Sequence, residues 1–257
     1  MLGGSFLSGK CFVSMRFLRA IFDECMDVFF PGNCPVCSGP PKMEDGYYTC
    51  SSCLDHVAWA GGAACKHCGL PMPSIEYEGL ICSSCRTNKP SFNRGLCLFV
   101  LDEIGKALIH SIKYEGAREV LNDMRHWLDR CPGACNFFQG AHLVPVPLHR
   151  RRESRRGFNQ SLWIARAIKS NIGSGVEVGD FMKRTRNTPT QTKLAKKDRE
   201  KNVKNAFALK PGVCLDSIFR IILIDDVFTT GATLDACTQV WKDKGVDHVD
   251  IFTLGHG

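Results

Sequence analysis

Residues 221–233 join an apolar run to two acids and a hydroxyl-rich turn: Ile221-Ile222-Leu223-Ile224-Asp225-Asp226-Val227-Phe228-Thr229-Thr230-Gly231-Ala232-Thr233. Two adjacent carboxylates can accept hydrogen bonds from neighbouring sugar hydroxyls and assist a metal ion. Thr229, Thr230, Gly231, Ala232 and Thr233 open a predicted helix, whose free N–H groups and dipole favour an anion. Gly231 lets the backbone approach a phosphate closely. The string therefore reads as a sugar-phosphate site. A plain strand–turn–helix junction accounts for one threonine and one acid, but not for the whole string.

The second set is made of thiols. The chain has fifteen cysteines. Eight form four Cys-x-x-Cys knuckles: Cys34 and Cys37, Cys50 and Cys53, Cys65 and Cys68, Cys82 and Cys85. Two knuckles a dozen or so residues apart can place four thiolates around one tetrahedral Zn²⁺. Such an ion leaves no open position for water, so zinc here is structural. It supplies folding energy to a segment rich in Gly, Pro and Ser and poor in apolar runs. Consecutive quartets, giving two ribbons in tandem, are the simpler arrangement. An interleaved pairing would also hold two ions. His67 lies inside a knuckle and could replace a thiolate, but it reads more simply as a surface residue. The other seven cysteines lack such spacing and read as small, mostly buried apolar residues.

These groups need a frame. Residues 15–29 carry apolar positions at helical spacing, interrupted by Arg16, Arg19, Asp23 and Glu24. They predict an amphipathic helix in an N-terminal region spanning 1–29, with no stable membrane insertion. The cysteine module follows over 30–90. From 91 to 257 strand and helix patterns alternate, which predicts an α/β domain with a central parallel sheet flanked by helices. Strands are expected at Cys97–Leu101, Leu143–Val146, Ala206–Leu209, Ile221–Ile224 and Val249–Thr253. Helices are expected at Ile104–Ser111, 117–130, 159–170 and 232–244. The unbroken apolar run at 221–224 suits a central strand covered on both faces. The phosphate loop would then lie at the carboxyl end of a parallel strand, where such sheets bind ligands.

Composition and charge narrow the partners. A hydrophobic fraction of 44% excludes a fibrous or wholly disordered chain. The net charge of +7 is uneven. Residues 183–204 hold nine Lys/Arg against Asp198 and Glu200, and residues 149–156 hold five Arg against Glu153. Two basic clusters on an otherwise slightly acidic chain point to a polyanion, either a phosphorylated metabolite or nucleic acid. The bland alternative is a solvated surface loop. With no clean secretory signal, the thiols suit a reducing compartment, and the expected location is cytoplasmic.

The acid–threonine string resembles the phosphoribosyl pyrophosphate signature of type I phosphoribosyltransferases. Further segments narrow the resemblance: Val144-Pro145-Val146-Pro147-Leu148-His149-Arg150, Arg156-Gly157-Phe158-Asn159-Gln160, Arg184-x-Arg186-x-Thr188-x-x-Gln191, Asn202-Val203 and Lys113-Tyr114-x-Gly116. Together with the cysteine module they resemble the competence protein ComF family, from about residue 25 onward. The resemblance implies a type I phosphoribosyltransferase fold behind a double zinc ribbon. It implies that Asp225 and Asp226 hold the ribose hydroxyls and that residues 229–233 hold the 5′-phosphate. The chain ends Leu254-Gly255-His256-Gly257, where a basic residue would be expected.

In that superfamily a nucleophile displaces pyrophosphate at the anomeric carbon through an oxocarbenium-like transition state. Mg²⁺ accompanies the pyrophosphate. Arg150 and Arg151, on an expected loop after Pro147, are candidates to bind it. The basic segment 183–204 could close as a lid, so that Arg184, Arg186 and Gln191 matter. No residue is assigned as general base or to an acceptor pocket. Two functions follow. One is a phosphoribosyltransferase with an unknown acceptor. The other is a non-catalytic accessory of DNA uptake in natural competence, working with single-stranded DNA and uptake proteins, with phosphoribosyl pyrophosphate as regulator. The second meets an objection: apart from Phe158, the aromatics do not interleave with the basic clusters as a stacking platform requires.

Overall fold

The computed structural model describes residues 33–39, 48–72, 80–186, 203, 205–216 and 218–257. The expected helix at 15–29 lies outside these residues, as do Thr188, Gln191 and most of the basic segment after Arg186.

Five parallel strands form the central sheet: β1 (Gly95–Val100), β2 (Ala141–Pro145), β3 (Val176–Val178), β6 (Arg220–Phe228) and β7 (His248–His256), in the order β1-β7-β6-β2-β3. β6 is central, pairing with β2 through Leu143–Ile222 and with β7 through Leu223–Ile251. Its residues Ile221–Ile224 are wholly buried, as a strand covered on both faces requires. Burial of each such side chain is worth about 1.5–3 kcal/mol against exposure. A separate antiparallel pair, β4 (Met182–Arg184) with β5 (Phe207–Leu209), brings together the start of the basic segment and the strand that follows it.

Helices cover both faces. In chain order they are α1 (Ser51–Asp55), α2 (Ser83–Thr87), α3 (Glu103–His110), α4 (Met124–Asp129), α5 (Ala134–Phe138), α6 (Arg150–Arg156), α7 (Gln160–Ile172) and α8 (Ala232–Lys242). Asp102 caps α3 by accepting from the Gly105 amide at 2.8 Å. α3 runs into a π-helical turn, Ser111–Glu115, closed by Gly116 at φ +68°. Such turns are rare and recur at functional sites. No helix of the described residues is long and apolar enough to cross a membrane.

Among the described residues, the cysteine module's buried side chains pack into the clusters of the sheet domain. Leu54 and Val57 join the hydrophobic cluster under α3, α4 and α7. The buried cysteines Cys65, Cys68, Cys82 and Cys85 join a second cluster with Phe92, Phe228 and Trp241. Ala60 donates to the Leu98 carbonyl and Val100 to the Ala58 carbonyl, so the module pairs along β1. The ribbons are therefore fastened directly to the sheet.

Candidate phosphoribosyl site and zinc ribbons

The carboxyl ends of β1, β2 and β6 converge on a cavity of about 620 Å³. Its lining includes Leu101 after β1, Val146, Pro147 and Leu148 after β2, and Asp225 and Asp226 near the end of β6. Asn159 fixes the β2 side. Its side chain donates to the Val146 carbonyl at 3.1 Å and accepts from the Ser161 amide at 3.0 Å, capping α7.

The two acids differ. Asp226 is buried, and its Oδ1 lies 3.0 Å from Lys113 Nζ on the π-turn. Its Oδ2 is buried with no hydrogen-bond partner among the described residues. Asp225 accepts from the Ser161 hydroxyl at 3.1 Å and from the Asp226 amide at 3.0 Å. Desolvation, then the Asp226 charge, push the Asp225 carboxyl up to about 7, against the pull of Lys113 and these hydrogen bonds.

Thr229 and Thr233 line the same cavity. Thr230, Gly231 and Ala232 line a smaller one, of about 110 Å³, against Ser84, Cys85, Asn88 and Lys89 of the second ribbon. Gly231 takes φ +74° before α8, and a Cβ there would meet Phe228 Cζ at 2.7 Å. A larger residue there would be strained by the positive φ and would have to displace the Phe228 ring.

Six cationic side chains line the large cavity: Lys106, Lys113, Arg152, Arg155, Arg156 and Arg184. Arg184 reaches it from β4, with its guanidinium 5.2 Å from the Phe207 ring. Arg150 and Arg151 are not on its wall, and Arg186 is exposed outside it. Arg150 and Arg151, expected on a loop after Pro147, instead open the helix Arg150–Arg156. Arg152, Arg155 and Arg156 stand at i, i+3 and i+4 and so share one face. His149 caps the helix by accepting from the Arg151 amide, and Gly157 closes it at φ +86°. Lys113 and Ser161 are not among the site residues expected from sequence, and Arg152, Arg155 and Arg156 are expected there only as part of the basic cluster 149–156, not as cavity-lining residues. Lys113 stood in a quoted motif, and the arginine spacing was the available signal for the helix.

The cysteines gather as consecutive quartets. The sulfurs of Cys34, Cys37, Cys50 and Cys53 lie within 4.8 Å of one another, as do those of Cys65, Cys68, Cys82 and Cys85. Four thiols at this spacing fit one tetrahedral Zn²⁺ each. Burial raises the Cys34 and Cys65 thiols, but backbone N–H groups of the knuckles outweigh it and lower both to about 7. Each quartet thus has a thiol ready to ionise for metal. The second quartet is fully buried, whereas Cys37 of the first is exposed. His67 stays outside both, its Nδ1 3.3 Å from the Asn93 carbonyl oxygen. Of the remaining cysteines, Cys97, Cys131 and Cys237 are buried, Cys135 is half-buried and Cys214 is exposed. Cys11 and Cys25 lie outside the described residues.

A family model for the double zinc ribbon domain matches residues 25–86. Curated relatives match most of the chain. It is similar to Competence protein F of Haemophilus influenzae, 26% identical over 88% of this chain and 97% of that protein. It is similar to the DNA utilization protein YhgH of Escherichia coli K12, 28% identical over 87% and 96%. It is similar to Competence protein ComFC of Bacillus subtilis, 26% identical over 80% and 82%. The chain is a homologue of competence proteins F and ComFC, with a double zinc ribbon ahead of a parallel α/β sheet.

Proposed function

We propose that the large cavity binds phosphoribosyl pyrophosphate and that the protein transfers its phosphoribosyl group to an acceptor, with release of pyrophosphate. The observation that carries this reading is the buried Oδ2 of Asp226, without a hydrogen-bond partner among the described residues, beside Asp225 in the cavity that Thr229 and Thr233 also line. A buried carboxylate oxygen without a donor is costly, and a sugar hydroxyl arriving there would satisfy it. Asp225 and Asp226 would accept from the two ribose hydroxyls. Thr229 and Thr233, with the amides at the start of α8, would hold the 5′-phosphate.

The pyrophosphate would meet the arginine face of α6 and Arg184, which stabilise charge on the leaving group. The acid pair offers hard oxygen donors, so the site fits Mg²⁺, which would neutralise charge on the pyrophosphate. Val146, Pro147 and Leu148 form the apolar side of the cavity and help exclude water from the anomeric carbon. Titration of the zinc-loaded protein with phosphoribosyl pyrophosphate, with and without Mg²⁺, tests the reading. Metal-dependent binding that Asp226→Asn abolishes is the expected result. Absence of binding by a folded protein sinks it.

The likeness to competence protein F and DNA utilization protein YhgH supports a second role, in DNA uptake or use. Here the arginine face would serve single-stranded DNA through its phosphates, with binding that falls steeply as salt rises. Charge reversal on α6 that spares DNA binding would remove this role.

A further inference from the structure

One wall of the cavity adds aromatic faces to the arginines proposed to meet the pyrophosphate. Tyr114 follows Lys113 on the π-turn, lines the cavity and is 66% exposed. The Arg156 guanidinium lies 5.4 Å from the Tyr114 ring and 6.0 Å from the Phe158 ring. Phe158 in turn stacks on Trp163, with centroids 3.8 Å apart and planes 12° from parallel. Arg155, also exposed, completes this wall. The fold thereby joins aromatics from two distant segments to the basic helix.

Sugar hydroxyls and phosphate oxygens gain little from a tyrosine face. A flat heteroaromatic ring gains stacking against Tyr114 and against the plane of a guanidinium. Negative charge on the same ligand would be met by Arg155 and Arg156. Phe158 is backed by Trp163, so this side of the wall is stiff and keeps its shape. The cavity, at about 620 Å³, is roughly twice the smallest volumes typical of ligand sites, about 300 Å³.

We propose that the Tyr114–Arg156–Phe158 wall is a second ligand subsite that takes a nucleotide, its base stacked on Tyr114 and its phosphate on Arg155 and Arg156. The subsite rests on the phosphoribosyl reading for what fills the rest of the cavity, and because Arg155 and Arg156 serve both phosphates the nucleotide and phosphoribosyl pyrophosphate compete for them. Its ligand has one chemistry and two sources, a free nucleotide or the terminal nucleotide of a single strand.

The test uses the full, zinc-loaded chain in a calorimeter. The probes are thymidine 5′-monophosphate, thymidine, a 5′-phosphorylated oligothymidylate, and phosphoribosyl pyrophosphate with Mg²⁺. Saturable monophosphate binding is expected, about tenfold or more tighter than the uncharged nucleoside. Tyr114→Ala should weaken the monophosphate by about tenfold or more, the scale of one lost base–aromatic stack. It should change phosphoribosyl pyrophosphate binding less than twofold, and Tyr114→Phe should restore the nucleotide. Oligonucleotide displaced by monophosphate assigns the subsite to strand ends as well; failure of the oligonucleotide to bind assigns it to free nucleotides. No saturable monophosphate binding overturns the subsite. So does equal weakening of both ligands by Tyr114→Ala. Nucleotide binding without phosphoribosyl pyrophosphate binding would instead overturn the proposed function and leave the subsite standing.

Discussion

Lys113 Nζ stands 3.0 Å from Asp226 Oδ1, with the Asp226 side chain only 7% exposed and that of Lys113 22%. The lysine keeps a charged carboxylate in place where water barely reaches it. Removing one member of such a pair leaves the other charged and uncompensated, at a cost of roughly 3 kcal/mol. Lys113→Met should therefore lower stability by about that amount in urea denaturation. The double variant Lys113→Met with Asp226→Asn should recover most of it, because neither charge remains. It should not recover binding of phosphoribosyl pyrophosphate, to which the proposed function assigns the Asp226 carboxylate. Recovery of both would mean that Asp226 is a structural residue only.

The raised Asp225 sets a pH dependence. Its carboxyl sits at about 7 in the fold, against about 3.9 in an unfolded chain. The folded protein thus holds this proton more tightly than the unfolded one. The stability it contributes is present below about pH 4 and is lost as pH rises through about 7. Asp225→Asn keeps an oxygen for the Ser161 hydroxyl and the Asp226 amide, yet has no charge to desolvate. Its melting temperature should rise relative to the parent protein as pH goes from 5 to 8, at roughly 2–4 °C per kcal/mol regained. Ligand binding by the parent should run the other way, strengthening above pH 7 as Asp225 ionises. A difference in melting temperature that stays flat across this window rejects the coupling of the two acids.

The two faces of α6 should separate by mutation. Arg155 and Arg156 line the cavity, whereas Arg150 and Arg151 do not. Replacing Arg155 and Arg156 by Glu should weaken phosphoribosyl pyrophosphate by about a hundredfold or more, since two charge-assisted bonds at about 1.5–3 kcal/mol each are lost. The same change at Arg150 and Arg151 should alter it less than threefold. Isothermal titration at two salt concentrations distinguishes a direct contact from a general field, which salt screens. Equal losses from both pairs would show that the helix acts only through its net charge.

Much of this site is legible in the sequence, and the gaps have physical causes. The run Ile221–Ile224 and the acids after it announce a buried strand and its carboxyl end because every side chain there is apolar until the ligand edge. Strand β6 continues through Asp225 and Asp226 to Phe228, since pairing with Thr253, Gly255 and His256 of β7 persists. Helix α6 buries no residue, so it lacks an apolar period to read. β3 and β4 are three residues each, too short for alternation to stand out. Tyr114 and Arg156 lie far apart along the chain, and only the packing of the π-turn against α6 brings them together. That contact weakens the objection that aromatics and basic residues do not interleave, because in the folded chain they meet across segments.

The segment that follows the second zinc ribbon, Ser91 and Phe92, is tied to the Thr229–Thr233 turn and α8, and on the proposed function that tie should make metal and ligand interdependent. The Ser91 amide donates to Asp235 Oδ1 at 2.5 Å, in the first turn of α8. The Gln239 side chain donates to the Ser91 hydroxyl. Phe92 packs edge-on against Phe228 at 6.3 Å, just ahead of the Thr229–Thr233 turn. Because the first quartet exposes Cys37 while the second is wholly buried, a mild chelator should remove one zinc per chain before the other. Loss of the first ion should leave phosphoribosyl pyrophosphate affinity within about threefold, on the scale of under 1 kcal/mol. Loss of the second should abolish binding, because the ligands of the ion and the start of α8 share one packed cluster. Asp235→Ala isolates the tie: native mass spectrometry should still count two zinc ions while affinity falls about tenfold, the loss of one charge-assisted hydrogen bond. Unchanged affinity in Asp235→Ala, or binding that survives removal of both ions, would mean that the ribbon holds the fold together without shaping the phosphate loop.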